Sequence, residues 1–128
     1  MTALEAAGLY TGLNILILIV LAFRVVGQRR KTKTSIGDGG HPELALAIRV
    51  HANASEYVPV AVAALVALAL LGAPLWALHA AGGAFTFARL AHAWGFGGGV
   101  IIGRQIGTAL TWVCLLGMAG GLIYLAVT

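Results

Sequence analysis

The sequence predicts an all-α integral membrane protein, a bundle of four transmembrane helices running up-down-up-down. Three observations carry this. Hydrophobic residues make up 60% of the 128 and charged residues only 9%, where a soluble domain carries about 25% charge. The mean hydropathy is +0.95. The apolar residues fall into four runs of spanning length, parted by short stretches of glycine, proline and charge. So short and apolar a chain cannot cover its surface with polar groups, and lipid is the expected solvent.

The elements follow in order, as a single four-helix domain over residues 1–128. The first helix is expected over about residues 4–26, long enough to span at roughly 20 residues. Its start carries Glu5 and lacks the basic opening of a secretory signal, so it is expected to be retained. A polar loop holding Arg29, Arg30, Lys31 and Lys33 follows, then the turn Asp38-Gly39-Gly40. The second helix is expected over about residues 42–71, with Pro42 in its first turn and Glu43 near its positive end. At about 1.5 Å per residue it is roughly 45 Å long, against a hydrocarbon core of about 30 Å. Its first two turns are therefore expected outside the hydrocarbon. Gly72-Ala73-Pro74 makes a tight turn into a third helix over about residues 75–96, which Gly97-Gly98-Gly99 breaks. The fourth is expected over about residues 102–126. On it, Gly103-x-x-x-Gly107 and Gly117-x-x-x-Gly121 are read as close-packing motifs.

Charge sets the polarity. The cluster from Arg29 to Lys33 is expected on the cytoplasmic side, beside anionic lipid, and argues against nucleic acid as a partner. Four spans then place both termini on the other side. Arg24, Arg49, Arg89 and Arg104 come from four separate places in the chain, yet all fall toward the basic end. Only Glu5 and His79 belong to the opposite end. The lone cysteine, Cys114, excludes an internal disulfide and reads as a small core or lipid-facing residue.

The segment Arg49-Val-His-Ala-Asn53-Ala-Ser-Glu56-Tyr57-Val-Pro59 carries the most chemistry. Arg49, Asn53 and Glu56 stand at i, i+4 and i+7, one stripe of a helix. Glu56 lies about 10 Å deeper than Arg49. A charge at such depth costs roughly 2.5 kcal/mol or more and needs protein, water or a partner beside it. Arg89, His92 and Phe96 form a similar stripe on the third helix. An ion pair such as Glu56 with Arg89, fixing helix register, would be a purely structural explanation. Four arginines exceed what one intramembrane carboxylate neutralises, however, so a pocket for an anionic ligand is favoured. Pro59 removes a hydrogen bond to the carbonyl of Ser55 and is expected to bend the helix. His51 falls on another side of the helix, and pairing it with His92 as haem ligands is a weak alternative, with no Cys-x-x-Cys-His present. The glycine runs follow no strand and match no phosphate-binding fingerprint. No metal site is expected.

At Arg49–Pro59 the sequence resembles the MAPEG family, the membrane-associated proteins in eicosanoid and glutathione metabolism. Phe87-Ala-Arg89-Leu90, His92 and Gly95-Phe96 resemble its third-helix segment, and Gly37-Asp-Gly-Gly40 its small bacterial branch. The resemblance covers nearly the whole chain. It implies a homotrimer in a bacterial inner membrane, with glutathione bound between subunits at the cytoplasmic end. By resemblance, Arg49, Asn53, Glu56 and Tyr57 hold the tripeptide, with Arg89 and an arginine from the end of the first helix, Arg24 or Arg30, adding charge. His92 and Phe96 stand where the eicosanoid branch has tyrosines, so the resemblance implies that an apolar second substrate is held differently; His92 is also a candidate in the glutathione pocket. Arg104, one residue out of register from Phe96, matches the arginine that stabilises the thiolate.

The resemblance implies glutathione as co-substrate of a transferase or peroxidase acting on lipophilic electrophiles. Arginines match carboxylates by bidentate hydrogen bonds, Glu56 matches an amine, and a nearby guanidinium lowers a thiol's pKa. Two readings compete. One is a binding or structural membrane protein of the same fold without catalysis. The other is a small proton-coupled exporter, which needs a carboxylate in the first helix, where this chain has Asn14.

Overall fold

In a computed structural model, residues 1–97 and 101–128 are described, with side chains outside 96–101. They form four helices: α1 (Ala3–Thr32), α2 (Pro42–Leu70), α3 (Leu75–Gly97) and α4 (Ile101–Val127). The predicted break at Gly97–Gly99 has Gly98 and Gly99 outside the described residues.

Each boundary has a local cause. Thr2 caps α1: its side chain accepts from the amide of Glu5, whose carboxylate accepts from the amide of Thr2. α1 runs to Thr32, six residues past the predicted end. Arg29, Arg30 and Lys31 therefore stand on its last turn and not in a loop. Glutamine, arginine and lysine are good helix formers, and cations suit a helix C-terminus. Termination comes from Lys33, in the left-handed region at φ 54°. Arg29 Nη1 then donates to the carbonyls of Ser35 and Gly37, at 3.2 and 2.9 Å, folding the loop back against the helix end. Asp38 accepts from the amide of Gly40 at 2.9 Å and closes the turn into Pro42, as predicted. Gly72 turns the chain between α2 and α3 at φ 81°.

Contacts between side chains fix the directions. Tyr10 meets His79 and Asn14 meets Thr86, so α1 and α3 run in parallel. Tyr57 meets Trp112 and Leu68 meets Gly121, so α2 and α4 do likewise. Around the bundle the order is α1, α2, α4, α3; α2 touches α3 across the middle, and α1 does not touch α4 among the described residues. The core holds Ala61, Leu65, Leu78, Phe85 and Met118, with Cys114 also buried.

The outside is apolar. Leu16, Phe23, Leu116 and Ile123 are each at least 60% exposed. α1, α2 and residues 102–127 of α4 are long and apolar enough to cross a membrane, with mean hydropathies of 2.2, 1.6 and 2.0. Only 11% of the most apolar window of α1 is buried. Apolar surface on this scale is incompatible with water and fits a lipid surround.

Packing between α3 and α4 is backbone against backbone. A Cβ on Gly107 would lie 2.6 Å from the amide of His92 and 2.8 Å from the carbonyl of Ala88. A Cβ on Gly103 would lie 3.0 Å from the Cα of Gly95. The Gly103–Gly107 motif thus packs as predicted. The Gly117–Gly121 motif does not: Gly117 meets nothing within 4 Å, while Gly121 rests on Leu68 of α2. Spacing alone does not select a motif's partner; the helix crossing does.

Candidate functional site

The second-helix stripe meets α3 at a buried arginine. Arg89 is 2% exposed, although it lies within a helix that packs among apolar neighbours. Its Nη1 donates to Oδ1 of Asn53 at 2.9 Å. Its Cζ lies 5.8 Å from the centre of the Tyr57 ring, within reach of a cation–π attraction. Tyr57 is held from its other end by Trp112 of α4, whose Nε1 donates to the Tyr57 hydroxyl at 3.0 Å. Three helices thus contribute to one polar chain, Trp112–Tyr57–Arg89–Asn53.

Nε and Nη2 of Arg89 are enclosed by protein and have no hydrogen-bond partner among the described residues. Leaving buried donors of a charged group unmatched costs about 1–3 kcal/mol or more. Nε and Nη2 are also adjacent on the guanidinium plane, the edge that grips a carboxylate with two parallel N–H···O bonds.

The predicted ion pair between Glu56 and Arg89 is not formed. Arg89 turns to Asn53, one turn before Glu56, and Glu56 is exposed. Among the described residues the one ion pair joins the N-terminal ammonium to Glu5. Within one chain, no salt bridge between α2 and α3 fixes their register among the described residues.

The other candidates surround this centre unequally. His92 is buried at 3% exposure, one turn beyond Arg89, with Gly107 of α4 against its backbone. Arg104 is exposed at the start of α4, beside Gly103 and its contact with Gly95. Arg49 is exposed and lines a hollow of about 280 Å³ with Gly37, Asp38 and Ala52. The Arg29–Gly37 hydrogen bond helps hold that loop in place. Arg24 and Arg30 do not join Arg89 within one chain. Arg24 lines a groove between α1 and α3, and Arg30 a hollow at the end of α1 with Arg29 and Thr34.

Trp112 is not among the residues that the sequence singles out. An indole paired with a distant tyrosine leaves no trace in spacing along either helix. Asp38, read in the sequence as turn chemistry and as partial balance for the arginines, lines the same hollow as Arg49.

Arg49 and Glu56 lie exposed on α2, about two turns apart, and Nε and Nη2 of Arg89 have no hydrogen-bond partner among the described residues. At the basic end the chain has eight lysines and arginines against three carboxylates, Asp38, Glu43 and Glu56. The arrangement suits an anion bearing a carboxylate.

Comparison with known proteins agrees with the motif. The inner membrane protein YecN of Escherichia coli K12 is 38% identical over 110 residues, covering 86% of this chain and 84% of that protein. YecN of the O6:H1 strain CFT073 matches to the same extent. The sequence profile of the MAPEG family matches residues 7–124, which include every residue of the polar centre, and the chain belongs to the MAPEG family.

Proposed function

We propose that the protein binds glutathione in the membrane at the Arg89 centre, and that it is a glutathione transferase or peroxidase acting on lipophilic electrophiles. The observation that carries this is the Nε–Nη2 edge of Arg89, two adjacent charged donors with no hydrogen-bond partner among the described residues, a geometry that suits a carboxylate. Glutathione offers two carboxylates, one amine and one thiol. Arg89 takes one carboxylate, with Asn53 setting the plane of the guanidinium. Arg49 takes the other, Glu56 takes the amine, and the Tyr57 hydroxyl, oriented by Trp112, adds a hydrogen bond. His92 borders the pocket. Arg104 faces the thiol and favours its thiolate.

In the transfer reaction the thiolate forms a bond to an electrophilic carbon, and the leaving group departs with its electron pair. With a hydroperoxide, the thiolate attacks the terminal oxygen and the alcohol leaves, taking a proton. A second glutathione converts the sulfenic acid to the disulfide, releasing water.

The proposal includes a homotrimer in which the exposed stripe of α2 is covered by a neighbouring copy. Arg30 of that copy completes the charge. α3 serves as the fourth span, the basic end is cytoplasmic, and both termini lie outside. A carboxylate-bearing thiol is water-soluble and its electrophile oily; a pocket at membrane depth on the basic side lets them meet.

The test is the thermal midpoint of the detergent-solubilised protein. Millimolar glutathione is expected to raise it, and Arg49→Ala to abolish the rise. No shift in the native protein removes the proposal. An ultraviolet thiolate band on binding separates catalysis from the alternative, a non-catalytic binding protein of the same fold.

A further inference from the structure

The groove between α1 and α3 is separate from the Arg89 centre. It has a volume of about 640 Å³. Leu16 and Val20 of α1 and Leu90 of α3 form its walls; Arg24 and Trp94 stand at one end and Thr86 at the other. Leu13 and Arg24, both in its lining, are eleven residues apart, about 16 Å of helix axis. That is half of a hydrocarbon core of about 30 Å, the depth of one leaflet.

The two ends differ chemically. Arg24 and Trp94 are both exposed, and an arginine beside a tryptophan is the pairing found at headgroup level. No carboxylate lies within ion-pair distance of Arg24 among the described residues. At the deep end, Asn14 Nδ2 donates to Thr86 Oγ1 at 2.9 Å and to the carbonyl of Tyr10 at 2.8 Å. That bridge ties α1 to α3 and closes the groove near the middle of the bilayer.

The side on which the groove opens favours lipid over protein as its occupant. In the trimer proposed above, on which this step rests, the covered stripe is on α2, and the groove opens on the α1–α3 side of the bundle, to which α2 contributes no lining residue.

We propose that this groove holds one acyl chain of an anionic bilayer phospholipid, with its phosphate on Arg24. The chain fills the apolar length from Trp94 down to Thr86. The excess of basic groups at this end selects an anionic headgroup over a zwitterionic one. The site does not depend on glutathione binding.

The test is native mass spectrometry of protein extracted in mild detergent, with analysis of the retained lipid. One phospholipid per chain is expected, enriched in anionic classes over the bulk membrane extract. Ile17→Trp, which fills the groove, is expected to cut retention several-fold. Arg24→Gln, an exposed change that spares the fold, is expected to abolish the preference for anionic lipid while leaving some retention. The proposal is overturned if no lipid is retained, or if its class mirrors the bulk. It is equally overturned if both variants retain lipid as the native protein does, or if the retained molecule is a free fatty acid. A cysteine placed at Leu16 that cross-links two copies would show that protein occupies the groove.

Discussion

Arg89 of α3 and Asn53 of α2 share a hydrogen bond of 2.9 Å from guanidinium Nη1 to amide Oδ1, and this one bond fixes which edge of the guanidinium is left without a hydrogen-bond partner among the described residues. With Nη1 engaged, Nε and Nη2 face the same side. Asn53, as a neutral acceptor, leaves the positive charge uncancelled. A carboxylate there would neutralise Arg89 and end its capacity for an anion.

Lysine at position 89 keeps the charge but has no planar fork. Arg89→Lys is expected to weaken glutathione binding about tenfold or more, equivalent to about 1.4 kcal/mol. The thermal midpoint without ligand should fall much less. Calorimetric titration beside a thermal scan separates the two; equal loss of both would mean that Arg89 serves the fold alone.

The seam between α3 and α4 tolerates no added carbon at Gly107. Gly107→Ala is expected to destabilise by about 1–3 kcal/mol, through overpacking against His92 and Ala88. Gly117→Ala, in open space, should stay within about 0.5 kcal/mol. Unfolding in mixed micelles compares them, and an equal effect would refute the assigned packing.

Trp112→Phe removes the donor to the Tyr57 hydroxyl. Hydrogen bonds between helices in membranes average about 0.6 kcal/mol, so an approximately threefold loss of glutathione affinity is expected. Trp112 is 55% exposed, so stability should barely change. Unaltered affinity would show that Tyr57 needs no such support.

Arg29→Ala frees the carbonyls of Ser35 and Gly37. Faster cleavage by proteinase K between residues 33 and 41 is expected, and Lys31→Ala, an exposed change on the same turn, should not cause it. Digestion followed by mass spectrometry reads the sites.

What the sequence disclosed, and what it hid, follows from the range of each signal. The stripe from Arg49 to Glu56 was legible because helical periodicity is local. The end of α1 was not: apolarity stops at Val26, but Gln28 to Thr32 remain helical and only the left-handed Lys33 ends them. That Arg89 chooses Asn53 over Glu56 depends on the rotation of α3 against α2, which no single-helix pattern encodes. The separation of Arg24 from Arg89 was hidden for the same reason. Both lie toward the basic end, as expected, but on different sides of the bundle.

The glycine seam also decides how the molecule can flex. Helices joined backbone to backbone slide poorly, so α3 and α4 behave as one stiff slab. α1 is fastened to α3 by side-chain hydrogen bonds at Tyr10 and Asn14, both in its first half, and beyond Asn14 it meets α3 through apolar contacts such as Leu21 with Ala93. Any breathing that admits a bulky reactant should therefore move α1 together with the α2 segment packed on Leu21, while the slab holds Arg89 still.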